Sequence, residues 1–92
     1  MADKLLYKIR VTGRVQGVGF RWRVENEAVR RGLKGFVRNL SDGSVHIEVE
    51  GLEEQLNAFL EWCKRGPGYS FVESLTVDSF PPLNYRDFRI EY

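Results

Sequence analysis

Two segments of the chain alternate hydrophobic with polar residues. Their hydrophobic positions are Tyr7, Ile9 and Val11 in the first segment and Val45, Ile47 and Val49 in the second. A period of two predicts strands with one buried face. Between them, Ser41-Asp42-Gly43-Ser44 is a strong signal for a tight turn. A strand over 34–40 is therefore predicted to form a hairpin with the strand that follows the turn.

Two other segments repeat their hydrophobic residues every three or four positions, which predicts helices. In the first, the recurring residues are Phe20, Val24 and Ala28, with Val29 beside them. Gly32 suits the position just after that helix, and the second helix is predicted to end at Gly66-Pro67. The apolar stripe of the second helix consists of Leu52, Leu56, Phe59, Leu60 and Cys63.

The remaining pattern completes an alternating order of strands and helices. A strand over 72–80 is followed by two prolines, and an alternation that ends at Tyr92 indicates a short last strand. The order β-α-β-β-α-β plus a terminal strand predicts an α+β fold, the ferredoxin-like split βαβ arrangement. We expect one domain over residues 1–92, with an antiparallel sheet and both helices on one face.

A glycine-rich loop joins the first strand to the first helix. Its sequence is Gly13-Arg14-Val15-Gln16-Gly17-Val18-Gly19-Phe20-Arg21. Glycines let a backbone turn sharply, and the free N–H groups of such a loop and of a helix N-terminus suit an anion. Arg21 and Arg23 lie in the first helical turn, where the helix dipole disfavours cations unless a negative ligand is present. The alternative is a tight connection whose arginines face solvent.

Charge is unevenly distributed along the chain. The net charge is only +1, but residues 1–40 carry 10 Lys and Arg against 3 acidic residues, and residues 41–92 carry 4 against 10. Any attraction for anions therefore belongs to the first half of the chain. Solvated charges could be distributed in this way without a ligand, so the loop is the stronger signal.

Several classes of protein do not fit the motifs. The loop is not a Walker A motif, since no Lys-Ser/Thr pair follows its last glycine, and Trp22 stands where a dinucleotide fingerprint needs its third glycine. Cys63 is the only cysteine, which excludes an internal disulfide, and its place within a helix excludes a cysteine phosphatase. One cysteine and one histidine, His46, cannot build an ordinary zinc site. With neither a signal-peptide pattern nor a membrane span, we expect a cytoplasmic location.

The loop at 13–21 resembles the signature of the acylphosphatase family. A second segment, Gly35-Phe36-Val37-Arg38-Asn39-Leu40-Ser41-Asp42-Gly43-Ser44-Val45, resembles that family's other signature. The two occur in the family's order and spacing, and the likeness in layout covers nearly the whole chain. The resemblance implies a small cytoplasmic ferredoxin-like enzyme that hydrolyses acyl phosphates to a carboxylate and phosphate without a metal.

The resemblance also implies a role for individual residues. Arg21 would bind the phosphate, and Asn39 would orient the attacking water. The backbone amides that would complete the phosphate cradle are those of Val15, Gln16, Gly17, Val18, Gly19 and Phe20. A general base is left open, with a substrate phosphate oxygen as one candidate. From its position alone, Asn39 could instead be only a turn former. We expect Arg23 to face away from Arg21 at the surface, and His46 to be solvated.

Two competing functions remain to be distinguished. Ferredoxin-like domains include RNA-binding modules, but the strand at 45–50 has acids where an RNA-binding sheet needs bases and aromatics. The same fold could also bind carbamoyl or acyl phosphate inside a larger machine. We expect a monomer that takes a small acyl phosphate, with inorganic phosphate or sulfate as competing anions. We expect no cofactor, no metal, no nucleic acid and no membrane partner.

Overall fold

The computed structural model of the protein describes residues 3–92. The elements follow one another in the predicted order, and the predicted ends of the second and fourth strands agree with the structure to within one residue. They are β1 (Lys4–Arg14), α1 (Phe20–Arg30), β2 (Lys34–Asn39), β3 (Val45–Leu52), α2 (Glu53–Lys64), β4 (Phe71–Phe80) and β5 (Phe88–Glu91). The predicted ferredoxin-like fold class is confirmed.

The five strands form one sheet in the order β4-β1-β3-β2-β5. The first four of these pair antiparallel, as expected, but β5 pairs parallel with β2. The sheet is therefore mixed. The reason lies in the path of the chain, because the segment after β4 crosses from one edge of the sheet to the other before β5 begins. It reaches the edge strand β2 from the end at which β2 itself starts.

The mixed pairing determines which strand ends meet. Since β1 and β2 both pair antiparallel with β3, they run in the same direction, and β5 runs with them. Their carboxyl ends therefore lie at one end of the sheet. That end gathers the glycine-rich loop after β1, Asn39 at the end of β2, and Tyr92 after β5.

The hydrophobic core of residues 3–92 lies between one face of the sheet and both helices. Its helical members are Phe20, Val24, Ala28, Leu56, Phe59, Leu60 and Cys63. The sheet contributes the alternating residues that the sequence pattern predicted, including Ile9, Val11, Ile47 and Val49. The sequence pattern also assigned Val29 and Leu52 to the apolar faces of the helices, and this prediction is wrong. Val29 lies on the outer side of α1, Leu52 is the N-cap residue that precedes α2, and both are exposed.

Gly32 lies just after the end of α1, as the sequence predicted. Gly32 has a φ of 73°, a conformation that side chains with a Cβ rarely adopt. Its N–H donates to the Val29 carbonyl at 3.0 Å, and the N–H of Leu33 donates to the Ala28 carbonyl at 2.9 Å. These two bonds form a Schellman motif, which places Leu33 against the core and turns the chain into β2. Within residues 3–92, neither helix has the length and apolar character needed to cross a membrane.

Candidate active site

A pocket of about 220 Å³ opens at the end of the sheet where β1, β2 and β5 finish. The loop and the first turn of α1 form one side, where Arg21 projects. Asn39 contributes from β2, and Ile90 and Tyr92 contribute from β5 and the residue after it. The structure thus brings together the two side chains, Arg21 and Asn39, that the sequence singled out, although they are 18 positions apart.

The backbone of the loop offers several free hydrogen-bond donors. Gly17 and Gly19 have φ values of 74° and 77°, and a Cβ at either position would meet nothing within 4 Å, so backbone conformation rather than space requires glycine. Gly19 is the N-cap of α1 and supplies no side-chain cap. Within the described chain, no backbone N–H of residues 16–22 donates a hydrogen bond. A row of unpaired donors at a positive helix end is suited to an anion.

The side chain of Gln16 ties the loop to the β2–β3 hairpin. Its Nε2 donates to the carbonyl oxygens of Leu40 at 2.8 Å and Ser44 at 2.9 Å. The bonds fix the loop relative to the end of β2, where Asn39 lies. Sequence reasoning gave Gln16 a role only through its backbone amide and missed this contact, because it joins segments more than 20 residues apart.

Arg21 is half-buried and lies against the C-terminal residues. Its Nη1 donates to the carbonyl oxygen of Glu91 at 3.4 Å, and its guanidinium carbon lies 4.9 Å from the centre of the Tyr92 ring. Among residues 3–92, Arg21 forms no ion pair with a carboxylate. Its charge is therefore not neutralised by a partner in the fold.

Asn39 carries a buried acceptor without a partner. Its Oδ1 is enclosed, yet within residues 3–92 nothing donates a hydrogen bond to it. Buried polar side-chain atoms in folded proteins nearly always have a partner, so an exception at the wall of a pocket indicates an atom available to a ligand or a water. A residue that served only the turn would have its side chain paired within the turn.

The other residues considered in the sequence lie outside the pocket. Arg23 faces away from Arg21, as predicted, but it is half-buried, with its guanidinium carbon 5.9 Å from the ring of Trp22. The expectation of a solvated His46 is wrong. Its side chain is 23 % exposed, because Nε2 lies 3.0 Å from Glu48 Oε2 and the ring packs near Phe36 on the face of the sheet away from the helices.

Cys63 is buried in the core, as the apolar stripe predicted. Burial raises the pKa of its thiol, and the nearby Glu27 adds to the shift. A thiol held in its neutral form inside a core is a poor nucleophile. Among residues 3–92, no group of three or more His, Cys, Asp or Glu residues is arranged to hold a metal ion.

Trp22, Ile90 and Tyr92 are pocket residues that sequence reasoning did not assign. The alternation of Phe88, Ile90 and Tyr92 indicates a strand, but it carries no information about the edge that the strand joins. Only the parallel pairing with β2 brings this strand to the pocket.

Comparison with known proteins identifies the family. The model of the Acylphosphatase family matches residues 7–90. A relative named acylphosphatase, from Bacillus pumilus, is 44 % identical over 86 residues, which span 92 % of this chain and 96 % of the relative. The crystal structure of acylphosphatase from Bacillus subtilis superimposes with a TM-score of 0.92 at 45 % identity, covering 96 % of this chain and 99 % of that one.

The same fold occurs within a larger protein. The crystal structure of full-length HypF, in its phosphate- and nucleotide-bound form, matches all of this chain with a TM-score of 0.89 and 34 % identity, over 12 % of its own length. The relatives that are similar in size to this chain are named acylphosphatases, and the match covers nearly their whole length. With its match to the family model and a pocket formed by both signature segments, the chain belongs to the acylphosphatase family, the enzymes that hydrolyse acyl phosphates.

Proposed function

We propose that the protein hydrolyses acyl phosphates to a carboxylate and inorganic phosphate without a metal, using Arg21, Asn39 and the loop amides. One observation carries the proposal. A guanidinium without an ion-pair partner, an unpartnered amide oxygen and loop residues with free backbone N–H groups, among them Gly17, Gly19 and Phe20, all line one pocket. Phosphoryl transfer depends chiefly on positioning and on electrostatic stabilisation, and these groups supply both.

Binding of the phosphoryl group is assigned to the loop and Arg21. The amides of Val15 to Phe20 surround the oxygens, and the planar guanidinium holds two of them at once, which a lysine could not do. The Gln16 side chain supports this cradle by tying it to the hairpin. Because negative charge spreads over the phosphoryl oxygens in the transition state, fixed donors there lower the barrier.

Placement of the water is assigned to Asn39. A side-chain amide has both a donor and an acceptor, so it can fix the orientation of a water that attacks phosphorus. Its buried Oδ1, without a protein partner, is the acceptor available for that water. The amide cannot take the water's proton at neutral pH, and that proton passes to a phosphoryl oxygen of the substrate.

The leaving group needs little assistance. The bond that breaks joins phosphorus to a carboxylate oxygen, and a carboxylate is stable at neutral pH, so no strong general acid is required. No Asp, Glu, His, Cys or Lys lines the pocket among residues 3–92. The positive charge that a metal would provide comes here from Arg21 and the helix N-terminus.

The proposed enzyme is a cytoplasmic monomer. The chemistry assigned to Arg21, Asn39 and the loop amides requires no residue from a second copy of the chain. The free, buried thiol of Cys63 fits a reducing compartment such as the cytoplasm. Inorganic phosphate and sulfate are expected to compete with substrate, because amides and a guanidinium recognise tetrahedral anions generally.

The experiment is a spectrophotometric assay of benzoyl phosphate hydrolysis, run with and without EDTA. We expect turnover that EDTA does not change, with competitive inhibition by phosphate and by sulfate. A requirement for Mg²⁺, or indifference to both anions at millimolar concentration, would contradict the proposed site. Tight stoichiometric binding of an acyl phosphate without turnover would instead support a binding module.

A further inference from the structure

The lining of the pocket combines buried groups with exposed aromatic side chains. Val15 and Phe20 are fully buried, and the Oδ1 of Asn39 is buried as well. Trp22 is 59 % exposed and Tyr92 is 99 % exposed. These two side chains form the aromatic rim of the pocket, where it meets the solvent.

Trp22 stands at a boundary between two concave surfaces. It lines the phosphate pocket, and it also lines a groove of about 520 Å³ between α1 and the end of α2. The hydrophobic core does not account for its position. Trp62 packs against the core, but Trp22 does not. An exposed indole at the mouth of a site offers a large, rigid apolar surface to a ligand.

The small volume of the pocket places the acyl group of the substrate at this rim. When the loop amides and Arg21 hold the phosphoryl group, the acyl group extends away from them. A pocket of about 220 Å³ is smaller than those that enclose drug-sized ligands, about 300–1,000 Å³, so it does not enclose a large acyl group as well. The part outside the cradle then lies beside the indole.

Of the two rim aromatics, Trp22 is the one available for stacking. The ring of Tyr92 already lies 4.9 Å from the Arg21 guanidinium, which is assigned to the phosphate. The cation that lies over the Trp22 ring is Arg23, at 5.9 Å, and it faces the groove rather than the pocket. The indole can therefore contact an acyl group without displacing a phosphate ligand.

We propose that Trp22 determines acyl-group specificity, favouring acyl phosphates whose acyl group is planar and aromatic over small aliphatic ones. This inference rests on the proposed hydrolysis. Stacking of two aromatic groups contributes enough binding energy to change affinity about tenfold. The contact is made in the ground state and the transition state alike, so it lowers KM and leaves kcat unchanged.

The test compares benzoyl phosphate with acetyl phosphate in wild type, Trp22→Ala and Trp22→Phe. In Trp22→Ala we expect kcat/KM for benzoyl phosphate to fall about tenfold through KM, and kcat/KM for acetyl phosphate to stay within about twofold. Trp22→Phe should recover most of the loss. The matched control is Tyr69→Ala, which removes an exposed aromatic outside the pocket and should leave both substrates unaffected.

Equal losses for both substrates would show that Trp22 supports the loop rather than the acyl group, and no loss for either substrate would show that the indole makes no contact. Either result overturns the proposal. A second measurement does not depend on turnover. Calorimetric binding of phenylphosphonate should weaken in Trp22→Ala, and binding of methylphosphonate should not. Wild type that hydrolyses neither acyl phosphate yet binds phenylphosphonate through Trp22 would contradict the hydrolysis and retain the subsite.

Discussion

The buried carboxylate of Glu50 accepts a hydrogen bond from the backbone N–H of Tyr85, 35 residues further along the chain, at 2.7 Å. Its other oxygen accepts the N–H groups of Leu83 and Asn84. The hydroxyl of Tyr85 donates to Glu48, which lies on β3 together with Glu50, at 2.7 Å. One side chain on β3 thus anchors the segment that crosses to β5, and with it the strand that brings Tyr92 to the pocket.

Glu50→Ala is expected to lower the free energy of unfolding by on the order of 3 kcal/mol, because three backbone donors lose a charged acceptor. Urea unfolding followed by circular dichroism measures the change. Glu54→Ala, which removes an exposed carboxylate at the start of α2, is the matched control and should be nearly neutral. Equal stability of the two variants would mean that the crossing segment does not depend on Glu50.

The elements of the fold were predictable because each rests on local information. Alternation at Tyr7–Val11 and the helical stripe through Phe20 and Ala28 reflect burial, which acts along a few consecutive residues. The parallel pairing of β5 was not predictable in this way. It depends on the crossing segment and on Glu50, whose contacts span more than 30 positions.

The site was predictable to a similar extent. Arg21 and Asn39 come from two sequence motifs, and the topology brings both motifs to one end of the sheet. Gln16 as a brace and Tyr92 as a neighbour of Arg21 were missed, since both contacts join residues distant in sequence. No local pattern distinguishes such a residue from an ordinary polar or aromatic side chain.

Arg21→Ala is expected to lower kcat/KM for an acyl phosphate by on the order of 10²-fold or more, because a charged phosphate ligand is lost in the transition state. The fold should survive, since Arg21 is half-buried and outside the core. Arg23→Ala is the matched control, as the two arginines share one helical turn but Arg23 faces the groove. Steady-state kinetics that show equal losses in the two variants would contradict the assignment of Arg21.

Asn39→Ala is expected to lower kcat strongly and to change the affinity for inorganic phosphate little, because Asn39 is assigned to the water and not to the anion. The measurement pairs kcat with the inhibition constant of phosphate. The backbone of β2 should tolerate the change, since the side-chain oxygen has no partner within residues 3–92 to lose. Should phosphate binding collapse together with kcat, Asn39 would belong to the phosphate cradle.

Acid should weaken the turn that follows Asn39. Asp42 Oδ1 accepts the N–H of Ser44 at 2.9 Å, and Oδ2 lies 2.6 Å from Arg10 Nη2. The hydrogen bonds from Ser44, and then Arg10, hold the pKa of Asp42 well below its ordinary value. A depressed pKa in the folded state stabilises the fold above the unfolded pKa of about 3.9, and the contribution disappears as pH falls through the folded pKa.

Asp42→Asn should therefore unfold at a lower temperature than wild type at pH 7, and the difference should shrink as pH falls below about 4. Thermal unfolding at several pH values measures both chains. The control is Asp87→Asn, which changes an exposed aspartate in another segment. A difference that grows toward acid would reverse the sign and contradict this account of the turn.

Turnover should depend little on pH between about 5 and 8, because a guanidinium stays charged and a side-chain amide stays neutral over that range. His46 pairs with Glu48 on the face of the sheet away from the helices and does not line the pocket. His46→Ala should therefore keep a kcat close to that of wild type. The measurement is kcat against pH for both proteins, at saturating benzoyl phosphate.

A bell-shaped profile, or an inflection at about pH 6.5 in wild type that His46→Ala removes, would show that an acid or base takes part in catalysis. The mechanism in which the substrate's own phosphoryl oxygen takes the proton would then have to be abandoned.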